Sequence, residues 1–337
     1  MSAQTKAPVG IAVLGDGGWG TTLAVLLFKK GFPVTLWGAF PDYTAQMDRK
    51  RVNSRFLPGI KIPAGIRVTA GLADAVQDKS LVVLAVPSQY MRGVLSKLCQ
   101  SGFPRRAVYL SVTKGIEIGS LKRMSELIRE ELGNVEMAAL SGPTIAQEVA
   151  HGIPSAAVIA SGSLEARRLL QDIFMTDCFR IYTSADMTGV ELGGSLKNII
   201  AIACGISDGL GFGANTKAAL LSRGLAEISR LGAAMGAQSR TFSGISGLGD
   251  LVTTCISPLS RNRSIGEQIG KGRSLRRIEG EMRMVAEGVP TTQSAYALSL
   301  KYKVDMPIVR EVYAVLYKHK SPRRAVRDLM TRQKREE

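Results

Sequence analysis

Val9-Gly10-Ile11-Ala12-Val13-Leu14-Gly15-Asp16-Gly17-Gly18-Trp19-Gly20-Thr21-Thr22-Leu23-Ala24-Val25-Leu26-Leu27 is the stretch that decides the architecture. A short apolar run, read as a buried strand, flows into glycines spaced Gly-x-Gly-x-x-Gly, and a helical pattern follows. Each glycine has a physical task in that context. Gly15 permits the tight turn, Gly17 lets a pyrophosphate approach the backbone, and Gly20 lets the helix pack on the strand. The phosphates belong at the helix N-terminus. A plain strand-to-helix turn is the rival reading; the strand–turn–helix setting favours dinucleotide binding.

Working outward, further apolar runs suit a parallel sheet covered on both faces. They are Pro33–Trp37, Arg67–Thr69, Leu81–Val86, Ala107–Ser111, Glu136–Leu140, Ser155–Ala160 and Phe179–Thr183. Polar or glycine-rich turns follow several of them: Pro87-Ser88-Gln89, Thr113-Lys114-Gly115 and Gly142-Pro143-Thr144. In an open α/β sheet ligands bind outside the carboxyl ends of the strands, so these turns converge on one edge. Lys114 is thereby a candidate site residue rather than a plain surface lysine. The second strand ends in Gly38-Ala39-Phe40, with no acid for an adenosine ribose, and Asp42 and Arg49-Lys50-Arg51 are possible substitutes. The choice between NAD and NADP stays open at this point.

From about Asp186 onward helical patterns dominate. They run through Lys217–Ala234, Ser264–Ile269, Thr292–Tyr302 and Pro307–Tyr317. The fold expected is α/β: a Rossmann-like, mostly parallel sheet with helices on both faces over residues 1–186, then an all-α substrate-binding domain over 187–337. The first helix of that second half runs from Val190 to Gly205 with Lys197 in its middle. At about 100° per residue Lys197 shares a face with Val190, Gly193, Ala201, Cys204 and Asp208. Such small neighbours admit another backbone or a bound molecule. A lysine flanked by apolar residues either snorkels to water or is buried, paired and shifted in pKa. Further on, the glycines of Gly244–Thr254 suggest a tight backbone course that positions Asp250 and Thr254. Ser260-Arg261-Asn262-Arg263 offers a planar fork and polar donors for a phosphate, or else a helix cap with an exposed basic face.

Bulk properties narrow the classes. The net charge of +16 is compatible with nucleic acid, an anionic surface or small anions. It is spread along the chain, and no aromatic-rich or zinc-finger recognition pattern accompanies it. Cys99, Cys178, Cys204 and Cys255 show no Cys-x-x-Cys spacing, which points to no metal site and fits a reducing cytosol. The opening Met1–Pro8 lacks the apolar region of a signal peptide, and no uncharged stretch reaches the length of a membrane span. Only His151 and His319 are present, so acid–base chemistry falls to lysine or carboxylate.

Taken in order, these motifs resemble the bacterial type of NAD(P)-dependent glycerol-3-phosphate dehydrogenase. The resemblance runs from Gly15 to Ser321-Pro322-Arg323-Arg324. It is carried by Gly15–Ala24, Ser111–Ile116, Ser141–Ala150, Glu191–Asn198, Gly247–Leu251, Ser260–Asn262 and Glu287-Gly288. It implies that Lys197 is the proton donor and acceptor at the substrate C2 oxygen, with Lys114 touching substrate and cofactor and Asp250 beside the lysine. Gly142, Thr144, Asn198, Thr254, Ser260, Arg261 and Asn262 are the implied substrate positions. Gly15, Gly17, Gly18, Trp19, Gly20, Lys114, Ala146, Arg261, Val285 and Glu287 are the implied positions for NAD or NADP. Where this chain has Ala39 the family often has Arg. A homodimer, glycerol 3-phosphate supply for phospholipid synthesis and a cytoplasmic setting are further implications.

The expected reaction interconverts sn-glycerol 3-phosphate and dihydroxyacetone phosphate. Reduction needs a hydride at C2 and a proton for the alkoxide, which a desolvated lysine near Asp250 can supply. Two nearby lysines lower each other's pKa, and the carboxylate opposes the shift. The rivals are another two-domain dehydrogenase acting on a hydroxy or oxo acid, and a basic nucleic-acid-binding module. The phosphate-type Ser260-Arg261-Asn262 cluster argues against the first, and the missing recognition motif against the second.

Overall fold

The structure, a computed structural model, describes residues 9–282, 284–334 and 336; Met1–Pro8 lies outside the described residues. The first half alternates strands and helices. These are β1 (Ile11–Leu14), α1 (Gly18–Lys29), β2 (Val34–Trp37), α2 (Pro41–Lys50), β3 (Arg67–Thr69), α3 (Leu72–Val76), β4 (Leu81–Leu84) and α4 (Ser88–Ser101). Then come β5 (Val108–Ser111), α5 (Met124–Leu132), β6 (Glu136–Ser141), α6 (Ala146–Ala150), β7 (Ser155–Ala160), α7 (Leu164–Phe174) and β8 (Phe179–Ser184). All eight runs read as strands from the sequence are strands of one sheet, ordered β3-β2-β1-β4-β5-β6-β7-β8.

Alternation along the strands explains why they read as unbroken apolar runs. Ile11 and Val13, Leu81 and Val83, and Val108 and Leu110 pack into one core on one face. Ala12 and Leu14, Val82 and Leu84, and Tyr109 pack into another on the opposite face. Pairing is parallel except between β6 and β7, which run antiparallel with Leu140 opposite Ile159. β1 lies between β2 and β4, so the chain leaves it in both directions across the sheet. A crevice opens at the carboxyl ends of those strands, the place where ligands bind in this class of sheet.

The second half is helical: α8 (Met187–Gly209), α9 (Ala214–Ala234), α10 (Ser239–Phe242), a π-helical turn (Ile245–Gly249), α11 (Asp250–Ile256), α12 (Arg261–Gly270), α13 (Leu275–Glu281), α14 (Gly288–Lys301), α15 (Pro307–Tyr317) and α16 (Pro322–Met330). Its axis is α8, started by the Asp186 carboxylate, which accepts from the Gly189 amide at 2.9 Å. By length and composition α8 could cross a membrane, yet its apolar stretch, Gly189 to Ser207, is buried as the core of this half. Glycines let its neighbours close in to backbone contact. A Cβ at Gly205 would run into the Arg263 carbonyl, and one at Gly266 into the Ile202 carbonyl, so α8 and α12 lie against each other almost without side chains between them.

The sequence reading of Gly244–Thr254 as a tight course between helices misses its helicity. The segment is the π turn running directly into α11. It packs closely on its neighbours: a Cβ at Gly193 of α8 would approach the Ser246 carbonyl to 2.6 Å, and one at Gly247 would strike the Phe242 carbonyl. π turns of this kind recur at functional sites, and this one delivers Asp250.

Candidate active site

The glycine turn has the shape its sequence demands. Gly15 holds φ +120°, and a Cβ there would come 2.6 Å from the Ala85 carbonyl. A Cβ at Gly20 would strike the Gly15 carbonyl, whereas one at Gly17 meets nothing within 4 Å. The first and third glycines are thus fixed by packing, and the second leaves open space. Among the described residues no side chain caps α1, which leaves its leading amides to a phosphate. These features fit the pyrophosphate of a dinucleotide. Ala146 backs the turn: its carbonyl accepts from Thr22 Oγ1 at 3.0 Å, and its side chain lies beside Gly18. Trp19 turns into the sheet core, edge-on to Phe179.

Lys197 is not a snorkelling lysine. It is 5% exposed and its ammonium donates to Asp250 Oδ1 and, at 2.6 Å, to Thr254 Oγ1. The same carboxylate accepts Lys114 Nζ on Oδ2 at 2.8 Å and Ser141 Oγ at 3.4 Å. Lys114 also donates to the Gly142 carbonyl at 2.7 Å and to Thr144 Oγ1 at 3.1 Å. Four segments distant in sequence thus meet at Asp250, which is 1% exposed. The small residues beside Lys197 admit backbone: Gly193 receives Ser246, and Gly194 faces Ser141 and Lys114. Asp208, on the same face, is engaged elsewhere, with Lys217 and Arg263.

The electrostatics follow from this burial. Desolvation pulls the Lys197 pKa down to about 8; Lys114 pushes the same way, and Asp250 resists. Burial alone would raise Asp250, but the two ammonium groups overcome it and hold the carboxyl below its ordinary value. The trio is therefore an ionised carboxylate between two amines, one of them poised to exchange its proton near neutral pH.

Around this centre the remaining expected residues divide by task. Asn198 donates to the Lys114 carbonyl at 3.2 Å and accepts from Asn262 Nδ2 at 2.9 Å, while Asn262 Oδ1 accepts the Gly288 amide at 2.9 Å. That chain ties the β5 turn, α8, α12 and α14 together. Thr254 sends its own hydroxyl hydrogen to the Asp250 carbonyl at 2.7 Å. Ser260 Oγ caps α12 by accepting the Arg263 amide, as the cap reading of that cluster has it. Arg261, at the first turn of α12, keeps an exposed guanidinium with one nitrogen on the Val285 carbonyl at 2.6 Å. Glu287 accepts the Ser88 amide at 2.8 Å and the Ser88 hydroxyl, joining α14 to the turn after β4. Sequence reasoning passed over Ser88 and Ser141 as site residues. Their position at the carboxyl ends of β4 and β6 was the available signal.

Comparison with known proteins agrees with this geometry. Residues 10–167 match the family model for the NAD-dependent glycerol-3-phosphate dehydrogenase N-terminus, and residues 186–327 that for its C-terminus. The chain is 54% identical over 325 residues to glycerol-3-phosphate dehydrogenase [NAD(P)+] of Citrifermentans bemidjiense, covering 96% of this chain and 97% of that one. It is 50% identical over 325 residues to the protein of the same name from Prosthecochloris aestuarii, covering 96% and 98%. The crystal structure of glycerol-3-phosphate dehydrogenase from Coxiella burnetii superposes with a TM-score of 0.93 at 37% identity, covering 96% of this chain and 99% of that one. The chain belongs to the NAD-dependent glycerol-3-phosphate dehydrogenase family.

Proposed function

We propose that the Lys114–Asp250–Lys197 trio is the catalytic centre for interconverting sn-glycerol 3-phosphate and dihydroxyacetone phosphate with NAD(P)(H). The buried, doubly held Asp250 is the observation that carries this assignment. When bound, the nicotinamide supplies and accepts the hydride. Lys197 polarises the C2 carbonyl and gives its proton to the developing alkoxide; in the reverse direction it takes that proton back. Asp250 orients both ammonium groups. Lys114, reaching from the sheet edge, spans the substrate and cofactor sides. Ser260, Arg261 and Asn262 gather at the start of α12, where the Arg261 fork takes the phosphate, with Gly142, Thr144, Thr254 and Asn198 bounding the substrate. Gly15, Gly17, Gly18, Trp19, Gly20, Ala146, Val285 and Glu287 frame the cofactor.

In this reading residues 1–186 bind the dinucleotide and 187–337 complete the substrate site, the seam lying between β8 and α8. The setting is a cytoplasmic homodimer that feeds phospholipid synthesis. Four cysteines, none in a disulfide, suit a reducing compartment. Following cofactor oxidation with dihydroxyacetone phosphate and with phosphate-free dihydroxyacetone tests the assignment. Rapid turnover of the phosphorylated ketone alone is expected; no turnover with either NADH or NADPH would overturn it.

A further inference from the structure

Within the glycine turn stands a carboxylate that the chemistry above does not use. Asp16 is 7% exposed, and its Oδ2 is fully buried without a hydrogen-bond partner among the described residues. Its backbone is held firmly, since its carbonyl accepts Asn53 Nδ2 at 2.7 Å and Thr21 Oγ1 at 3.3 Å. Burial raises the carboxyl pKa, while its own backbone amide and the Arg55 charge oppose the rise. A buried acceptor left unpaired is costly, and such a group commonly awaits a donor.

The side chain points to where that donor comes from. Oδ2 lies against Gly38, so closely that a Cβ at 38 would sit 2.7 Å away. Gly38 follows Trp37, the last residue of β2, which pairs with Leu14 just before the glycine turn. In dinucleotide-binding sheets the acid that accepts the adenosine ribose 2′-hydroxyl projects from this end of β2. Here that end is Gly38-Ala39-Phe40 and supplies none. The carboxylate reaches the same place from the neighbouring turn, and the bare glycine lets it and the Thr44 hydroxyl close in on the end of β2. Two arginines lie nearby, Arg55 acting on the carboxyl through its charge alone. Arg51 donates to the Ile66 carbonyl and pairs with Asp48, each at 2.7 Å, and Arg55 lies over the Phe56 ring at 5.2 Å.

Building on the dinucleotide reading of the turn, we infer that Asp16 reads the adenosine ribose and makes this enzyme select NADH over NADPH. The unphosphorylated ribose offers it a hydroxyl donor. A 2′-phosphate offers no donor and brings about −1.5 to −2 charge against a carboxylate.

The test is equilibrium binding of NADH and NADPH, by titration calorimetry, to the full-length wild type, Asp16→Asn and Asp16→Ser. The wild type is expected to hold NADH at least about tenfold more tightly, the size of one hydrogen bond to a charged group. Both variants should shrink that ratio about tenfold, with NADPH binding strengthened by loss of the charge. Competition against NADH on the wild type alone, using ADP and its 2′-phosphorylated analogue, gives a second readout independent of how the variants fold; the analogue should compete more weakly. Wild-type preference for NADPH, an unchanged ratio in the variants, or equal competition would each overturn the role of Asp16 and leave the nucleotide site standing. Failure of the wild type to bind either dinucleotide would overturn the nucleotide site itself.

Discussion

Asp250 joins Lys114 and Lys197 through separate oxygens, so one carboxylate of the helical half bridges a lysine from each half of the chain. Removing that charge leaves two ammonium groups facing each other in a water-poor site. Asp250→Ala is expected to lower kcat at least about a hundredfold and to destabilise the fold by about 3 kcal/mol, as loss of one partner from a buried pair does. Steady-state kinetics and thermal melting check both. Asp250→Asn, which keeps the shape, should lose activity nearly as severely; wild-type activity in it would dismiss the charge argument.

The lowered pKa of Lys197 gives a pH dependence with a definite sign. Ketone reduction uses the protonated amine, so its kcat should fall as pH rises through about 8, while alcohol oxidation should gain over the same range. Lys114→Met removes a cation that depresses Lys197 and should move the inflection to higher pH. A pH–rate profile of both enzymes decides it. An unmoved inflection would show that Lys114 does not act on Lys197.

Among the described residues Arg261 donates to the Val285 carbonyl, leaving further N–H groups of its fork for a ligand. Arg261→Ala is expected to raise KM for dihydroxyacetone phosphate by about ten- to a hundredfold with a smaller change in kcat, since a phosphate anchor binds ground and transition states alike. A loss confined to kcat would place the arginine at the reacting centre instead.

Glycines of two kinds should respond oppositely to alanine. Gly205→Ala pushes a methyl into the Arg263 carbonyl and forces α12 off α8. It should cost about 1–3 kcal/mol of stability and raise KM, because Arg261 and Asn262 ride on α12.

Gly17 has ordinary backbone angles, φ −64° and ψ 174°, and open space around it. Gly17→Ala should melt within a few degrees of wild type yet bind NADH at least about tenfold more weakly, because the methyl occupies the approach of the pyrophosphate. Calorimetric titration beside a melting curve separates the two glycines; tight NADH binding by Gly17→Ala would remove the pyrophosphate from this turn.

Much of this was legible in the sequence, for identifiable reasons. Strands such as Leu81–Leu84 announce themselves because both faces are buried and every residue is apolar. That same uniformity conceals direction, so nothing in Glu136–Ser141 and Ser155–Ala160 tells that β6 and β7 run antiparallel. The helix at Asp250 was hidden because Gly244, Gly247 and Gly249 replace the apolar periodicity by which helices are recognised, Gly247 lying in backbone contact with Phe242. Lys197 could be suspected from its apolar neighbours alone. Its partner lies 53 residues away, a separation that no local spacing encodes, and the link came through resemblance. Asp16 reads as a variable position in a glycine pattern until Gly38 is seen beside it.

The seam between the halves gives the trio a meaning beyond geometry. Lys197 owes its acidity to burial and to Lys114, a residue of the β5 turn on the other side of that seam. Its lowered pKa draws on both parts of the chain, on burial within α8 and on a charge carried by the β5 turn. A change on the β5 turn that removed the Lys114 charge would therefore be felt at an amine carried by a helix of the other half.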